Sequence, residues 1–384
     1  MNEPNPIALP ARRSFLKTGA SLAAGGMLAP LLGARPGPQA AKVQRVVLVA
    51  FAGGVRTKET LAAPDNVPNL MRMAQEGVAY TRVKTSNLGH FGATLSLFTG
   101  IAEARGIREN ALGDDPTLFE YVRKDLGLAA GDVWVSTSGG AQQTNYACSL
   151  HKSYGREYAA NTLDGDGIFN AEFKDIVESF GRPRVMGEAE KSLFEAMRGS
   201  LGRGTRAAAG AESFARVERY LLDELNSGTS DLRGTGSADA KALRVARNLM
   251  AVFKPKLLGV TLQNADVAHG SYNGYVEVIR RNDGMLGELM DAIRADPEIR
   301  DSTAVFVLPE FGRDADLNSR RGLDHGDGSD DLNYVSLVAW GAGFAKGTVV
   351  REDIQTIDVC PTICGLLGAS ARYSKGRKLP KLLG

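Results

Sequence analysis

Apolar residues fall into two rhythms along this chain. Arg45 to Phe51 (R-V-V-L-V-A-F) is a continuous Val-rich run ending at Gly53-Gly54, the pattern of a strand covered on both faces within a parallel sheet. Similar short runs follow at Val78 to Val83, Val133 to Ser136, Leu257 to Leu262, Thr303 to Leu308 and Val335 to Trp340. Between them apolar positions return at helical spacing, around Pro68 to Glu76, Ala93 to Phe98 and Pro116 to Leu126, where Leu118, Tyr121, Val122 and Leu126 form one stripe. Tyr272 to Ile293 repeats Val276, Ile279, Leu286, Leu289 and Ile293, and Ile357 to Leu367 precedes a basic tail. This alternation predicts an α/β fold with a central, mostly parallel sheet flanked by helices across residues 41–384. From 151 to 250 the pattern changes to helix-like segments separated by Gly-rich breaks, as at Gly199 to Gly210, which predicts a helical insertion over the sheet.

Residues 1–40 read differently. Ala11 to Lys17 (A-R-R-S-F-L-K) leads into an apolar, small-residue run from Thr18 to Gly33, then Pro- and Gly-containing residues to Ala40, the order of a signal peptide. The run is shorter than the roughly 20 apolar residues that span a bilayer. Arg12-Arg13 with Phe15 and Leu16 behind them resemble a twin-arginine signal, which sends folded proteins across the bacterial inner membrane. The expectation is a periplasmic or secreted protein, recognised by the twin-arginine translocation machinery, with no stable membrane span after processing. Without a clean A-x-A site, the cut falls between Ala34 and Ala41 or the segment stays as an anchor.

Composition narrows the class further. The 384 residues are 43% hydrophobic and 23% charged, as in an ordinary globular chain. Of the formal net charge of +2, Arg12, Arg13, Lys17 and Arg35 against Glu3 supply +3, so the rest carries −1 and offers no electrostatic footprint for nucleic acid. Cys148 stands alone, and Cys360 and Cys364 share one helix face where a bridge would be strained, so all three read as small buried residues. Asp164-Gly-Asp-Gly reads as a turn.

Four ordered stretches resemble the alkaline-phosphatase superfamily, which includes sulfatases, phosphodiesterases and cofactor-independent phosphoglycerate mutases. They are Val46 to Gly54; Val67-Pro-Asn-Leu through Glu76-Gly-Val to Ser96-Leu-Phe-Thr-Gly100; Asp266-Val-Ala-His269 opening a long helix; and Pro309-Glu-Phe-Gly312 with Asp324-His-Gly326, Val335 to Gly341 and Ile357 to Thr362. Glu310-Phe-Gly-Arg313 and Asp324-His-Gly326 look most like a group of secreted bacterial proteins of unassigned function that often carry twin-arginine signals.

The resemblance implies hydrolysis of phosphate or sulfate esters by a short nucleophile beside one or two divalent metals, held by Asp and His at the carboxyl ends of neighbouring strands. His90, His269 and His325, three of only four histidines, fall in the loops expected there. The departures are specific. Ala52 stands where the family has a metal-binding Asp, His90 occupies the nucleophile position, Glu310-Phe311 replaces an Asp-His pair, and Asp266 and His269 are three apart instead of four. What the resemblance then implies is one divalent ion at most, zinc, calcium or manganese, on Asp266, His269 and His325 with Glu310 or Asp324. His90 is the catalytic candidate, as a phosphohistidine nucleophile, a ligand or only a loop residue; with a shifted loop, Thr85, Ser86 or Thr94 supplies a hydroxyl instead. Asp327, Asp330 and Asp331 read as a solvated loop. The leading expectation is an exported hydrolase of small-molecule or polymer esters. The alternative is a catalytically degenerate binding or assembly protein of the same fold, without a metal.

Overall fold

A computed structural model of the chain describes residues 43–102, 112–138, 145–164 and 232–384. The expected signal peptide and the middle of the expected insertion, 165–231, lie outside the described residues. The first apolar run forms β1 (Arg45–Phe51), buried from Val46 onward. It is flanked on both sides by parallel partners, β5 (Leu257–Leu262) and β6 (Thr303–Pro309), with Leu48 opposite Gly259 and Phe306. A strand hydrogen-bonded on both edges and covered on both faces has no solvated side, so its sequence carries no polar alternation. The other strands are β2 (Val78–Lys84), β3 (Val133–Thr137), β4 (Asn161–Asp164), β7 (Tyr334–Gly341), β8 (Thr348–Val350) and β9 (Ile354–Gln355). Their order is β4-β3-β5-β1-β6-β7-β2-β8, with β9 also on β2. Among the described strands only β7 runs against the rest, antiparallel to β6 and β2.

β4 corrects the expectation of a purely helical insertion, because it lies within 151–250 and pairs in parallel with β3 at the sheet edge. Four residues, Asn-Thr-Leu-Asp, with Leu163 as the one large apolar side chain, leave no periodic signature.

Helices cover both faces. Val46, Leu48 and Ala50 point into one core with α2 (His90–Thr99), α3 (Leu118–Leu126) and α7 (Val359–Leu367), through Phe98, Tyr121, Val122 and Ile363. By strand alternation Val47 and Val49 face the opposite side, where α1 (Pro68–Glu76), α4 (Ser237–Val252) and α5 (Tyr272–Ala295) pack against one another and the sheet. Local signals set the ends: Thr117 and Glu120 form a capping box on α3, and Ser271 Oγ accepts from Gly274 N at the start of α5. α1 has no cap of its own. The Asp283 carboxylate of α5 takes its free N–H groups instead, from Asn69 at 3.0 Å and Leu70 at 2.8 Å.

Because β1, β2, β5 and β6 run the same way, the segments after them leave from one edge of the sheet. Open α/β sheets build their ligand crevices at that edge.

Candidate metal and catalytic centre

After β1 the chain turns through Gly53 and Gly54, and glycine is required at both. A Cβ on Gly53 would lie 2.6 Å from both Asp266 N and Gln263 O, and Gly54 has φ +65° with Phe311 and Arg313 against it. This close approach brings β1 onto the segment after β5. That segment, Asn264–His269, is a 3₁₀ turn and not the opening of the long helix, which begins at Tyr272. With three residues per turn, positions i and i+3 eclipse, so the three-residue spacing of Asp266 and His269 puts both side chains on one side. His90 is the first residue of α2 and not a loop residue. β6 delivers Glu310 and Phe311, both fully buried, and the loop before α6 (Asp330–Asn333) carries Asp324 and His325.

One ligand atom from each of His90, Asp266, His269 and His325 comes within 4.8 Å of the others. His90 Nε2 lies 3.0 Å from Asp266 Oδ1, without the alignment of a hydrogen bond, and His269 Nε2 lies 3.2 Å from the same oxygen. The His325 ring stands 4.9 Å from that of His90 and 5.1 Å from that of His269, with Phe311 packed on both His90 and His325.

Two expected ligands stand outside this group and hold its histidines from behind. Glu310 Oε1 lies 2.5 Å from His90 Nδ1, and the other Glu310 oxygen accepts from the Thr94 hydroxyl. Asp324 Oδ1 lies 2.7 Å from His269 Nδ1. Carboxylates in this relation fix the ring orientation and tautomer of a ligating or reactive imidazole. Of the other candidate hydroxyls, Ser86 is engaged with Thr356 at 2.9 Å, and Thr85 offers only its backbone N–H, to Asn333 O. Asp327 accepts backbone N–H groups from Ala315 and Ser329, which shapes its own loop, and Asp331 sits 3.9 Å from Arg56. The three cysteines are free and buried.

Arg313 is the residue that sequence reasoning passed over. It is fully buried, with Nη2 2.6 Å from Asp266 Oδ1 and Nη1 3.1 Å from His269 Nε2. Arginine is not a metal ligand and matches no ligand spacing, so its place in the Glu310-Phe-Gly-Arg313 segment was the only available signal.

Electrostatics separate the two rings nearest the centre. Burial and the N-terminus of α2 disfavour a proton on His90, but Asp266 and Glu310 beside it outweigh both and push its pKa up to about 10. Burial lowers His325, and the neighbouring positive charges of His90 and Arg313 lower it further, so this ring is neutral. Burial pushes Glu310 up, only partly offset by His90 and Thr94, whereas for Asp266 the effect of burial is overcome by His90 and Arg313, leaving it well below the usual carboxylate range.

Within the four-residue group, Asp266, His269 and His325 fit one divalent ion by the chemistry of their donors, two imidazoles and a carboxylate, a borderline N/O set of the kind zinc takes, with protonated His90 beside them. The group does not fit a second. The side chains of Ala52 and Phe311 offer no lone pair, and the Arg313 guanidinium stands against Asp266 and His269 with a positive charge of its own.

No protein-family model and no curated protein sequence matches this chain. Solved structures do. The wild-type alkaline phosphatase PafA is similar with a TM-score of 0.57 at 10% identity, over 89% of this chain and 99% of that one. A phosphonate monoester hydrolase of Agrobacterium radiobacter is similar with a TM-score of 0.54 at 15% identity, over 88% and 76%. A putative sulfatase from Bacteroides thetaiotaomicron has a TM-score of 0.56 at 11% identity, over 88% and 73%. The chain therefore has the alkaline-phosphatase-like α/β fold of these structures. No helix among the described residues is long and apolar enough to cross a membrane.

Proposed function

We propose that this chain is an exported hydrolase of phosphate or sulfate esters that acts with at most one divalent ion. The observation that carries the reading is the placement of His90, whose Nδ1 is held by the buried Glu310 while Nε2 turns toward Asp266, His269 and His325 at the carboxyl edge of the sheet. The neighbours' names, an alkaline phosphatase, a phosphonate monoester hydrolase and a putative sulfatase, support the same class of substrate, a small-molecule or polymer ester.

Asp266, His269 and His325 would hold the ion, which when bound supplies positive charge to the ester oxygens. His90 carries the proton chemistry, because a carboxylate on one nitrogen leaves the other aimed and ready. Water attacks phosphorus or sulfur, the bond to the ester oxygen breaks, and the Nε2 proton of His90 goes to the departing oxygen. The imidazole then regains a proton from the attacking water. Its protonated state favours this role of acid over that of a phosphohistidine nucleophile, which needs a free lone pair. The test is release of p-nitrophenol from its phosphate and sulfate esters with zinc or manganese present. Turnover lost in His90→Ala and in His269→Ala supports the reading, and no turnover with any ester or ion refutes it.

One observation favours the rival, a degenerate binding or assembly protein: Arg313 with Asp266 and His90 with Glu310 balance the charges of the centre without an ion. The export step rests on Arg12-Arg13 ahead of the apolar run.

A further inference from the structure

All five N–H groups of Arg313 have an acceptor. Nε reaches Gly54 O at 3.4 Å, Nη1 reaches Leu323 O at 3.3 Å, and Nη2 donates to Gly53 O. These three backbone contacts are what a structural arginine makes when it ties together the loops after β1 and β6. The remaining two N–H groups do something else. One donates to Asp266 Oδ1 at 2.6 Å and the other to His269 Nε2 at 3.1 Å, the two atoms through which these residues would bind an ion.

An imidazole nitrogen has a single in-plane lone pair. With Nδ1 of His269 turned to Asp324 Oδ1 at 2.7 Å and donating its proton there, Nε2 is the acceptor, and its lone pair points at the Arg313 N–H. Asp266 Oδ1 accepts from Arg313, and His90 Nε2 lies 3.0 Å from it. Guanidinium does not lose its proton in proteins, so no ordinary change of conditions frees these atoms.

We infer that Arg313 is a resident counter-cation of this centre, and that an ion binds only by displacing its two N–H groups from Asp266 and His269. The inference rests on the reading that Asp266, His269 and His325 take a divalent ion. It gives Arg313 a function beyond packing: it keeps Asp266 and His269 in place and charge-balanced when no ion is bound, and it sets how tightly one is held. A dication also meets a fixed positive charge within a few ångströms, which adds to the cost of displacement.

The experiment is calorimetric titration of the full chain with zinc and with manganese, comparing the natural protein with Arg313→Met and Arg313→Lys. The Met side chain keeps much of the volume and removes the charge and donors. Expected is binding at least about tenfold tighter in Arg313→Met, with Arg313→Lys closer to the natural protein, and loss of the tightened site on adding His269→Ala. A folded Arg313→Met that binds no more tightly, or no binding by either protein at millimolar ion, overturns the inference. If Arg313→Met does not fold, a crystal of the natural protein soaked in zinc decides: the guanidinium must have left His269 Nε2, and an ion on that nitrogen with Arg313 unmoved is fatal to the idea. Ester hydrolysis is read separately. Turnover without tighter binding in Arg313→Met removes this inference alone, and tighter binding without turnover removes the hydrolase alone.

Discussion

Asp239 is the support beneath the turn that carries Asp266 and His269, and its titration gives a quantitative test of the structure. The carboxyl lies in the first turn of α4, fully buried, and accepts from Asn264 N at 3.1 Å and from Asn282 Nδ2 at 2.8 Å, with Ser138 and Gln263 also donating. The Asp239 N–H returns a bond to Asn264 Oδ1 at 3.0 Å, so α4 and the start of the ligand turn are laced together. Burial raises the carboxyl from 3.8 to about 6, against the lowering effect of these donors. The folded protein thus holds this proton more tightly than the unfolded chain does. The sign follows from linkage: the contribution is fully present below about pH 4, is lost as pH rises to about 6, and amounts to roughly 3 kcal/mol at about 1.4 kcal/mol per pH unit. In Asp239→Asn that titration is gone. Urea midpoints measured for both proteins between pH 3.5 and 7 should show the natural protein losing about 3 kcal/mol relative to the variant. A difference that is flat, or that grows in favour of the natural protein as pH rises, would refute the buried placement of Asp239.

Other outcomes can be checked independently. His269→Ala and His325→Ala should each abolish divalent binding in equilibrium dialysis, whereas His151→Ala, whose ring packs on Tyr154 and Tyr373, should leave it unchanged; two tightly bound ions per chain would show the ligands to be misassigned. Asp283→Ala should lower the urea midpoint by the equivalent of about 1–2 kcal/mol, because the first N–H groups of α1 lose their acceptor, and a change below about 0.5 kcal/mol would deny the cap any role. Replacing Arg12 and Arg13 together by lysine should hold the protein in the cytoplasm, read by fractionation in cells where only the twin-arginine route is open; unchanged delivery counts against the export reading.

How much was legible in the sequence depended on how many neighbours each segment has. β1, β5 and β6 were plain because a strand bonded on both edges and covered on both faces must be apolar throughout, and α5 was plain because 24 residues give several turns of repeat. β4 was not, since a four-residue edge strand needs only one buried side chain. At the centre, the motif histidines were legible as a set, and the three-residue spacing of Asp266 and His269 becomes regular once the segment is a 3₁₀ turn instead of an α-helix. The division of labour among the carboxylates was not legible. Asp266 faces the common point while Glu310 and Asp324 stand behind His90 and His269, a difference of side-chain direction set by tertiary packing and not by spacing.

The same packing explains the place of Arg313. Asp266 is the carboxylate of the four-residue group, and Glu310 is fully buried behind His90. A buried carboxylate without a partner costs several kcal/mol, so the fully buried Glu310 needs a cation beside it. Protonated His90 meets that need, and Arg313 pairs with the half-exposed Asp266. The guanidinium reaches Asp266 from β6 because Gly53 and Gly54 keep the space between the loops clear of side chains and expose the two carbonyls it binds. The centre thus carries part of its positive charge on the chain itself.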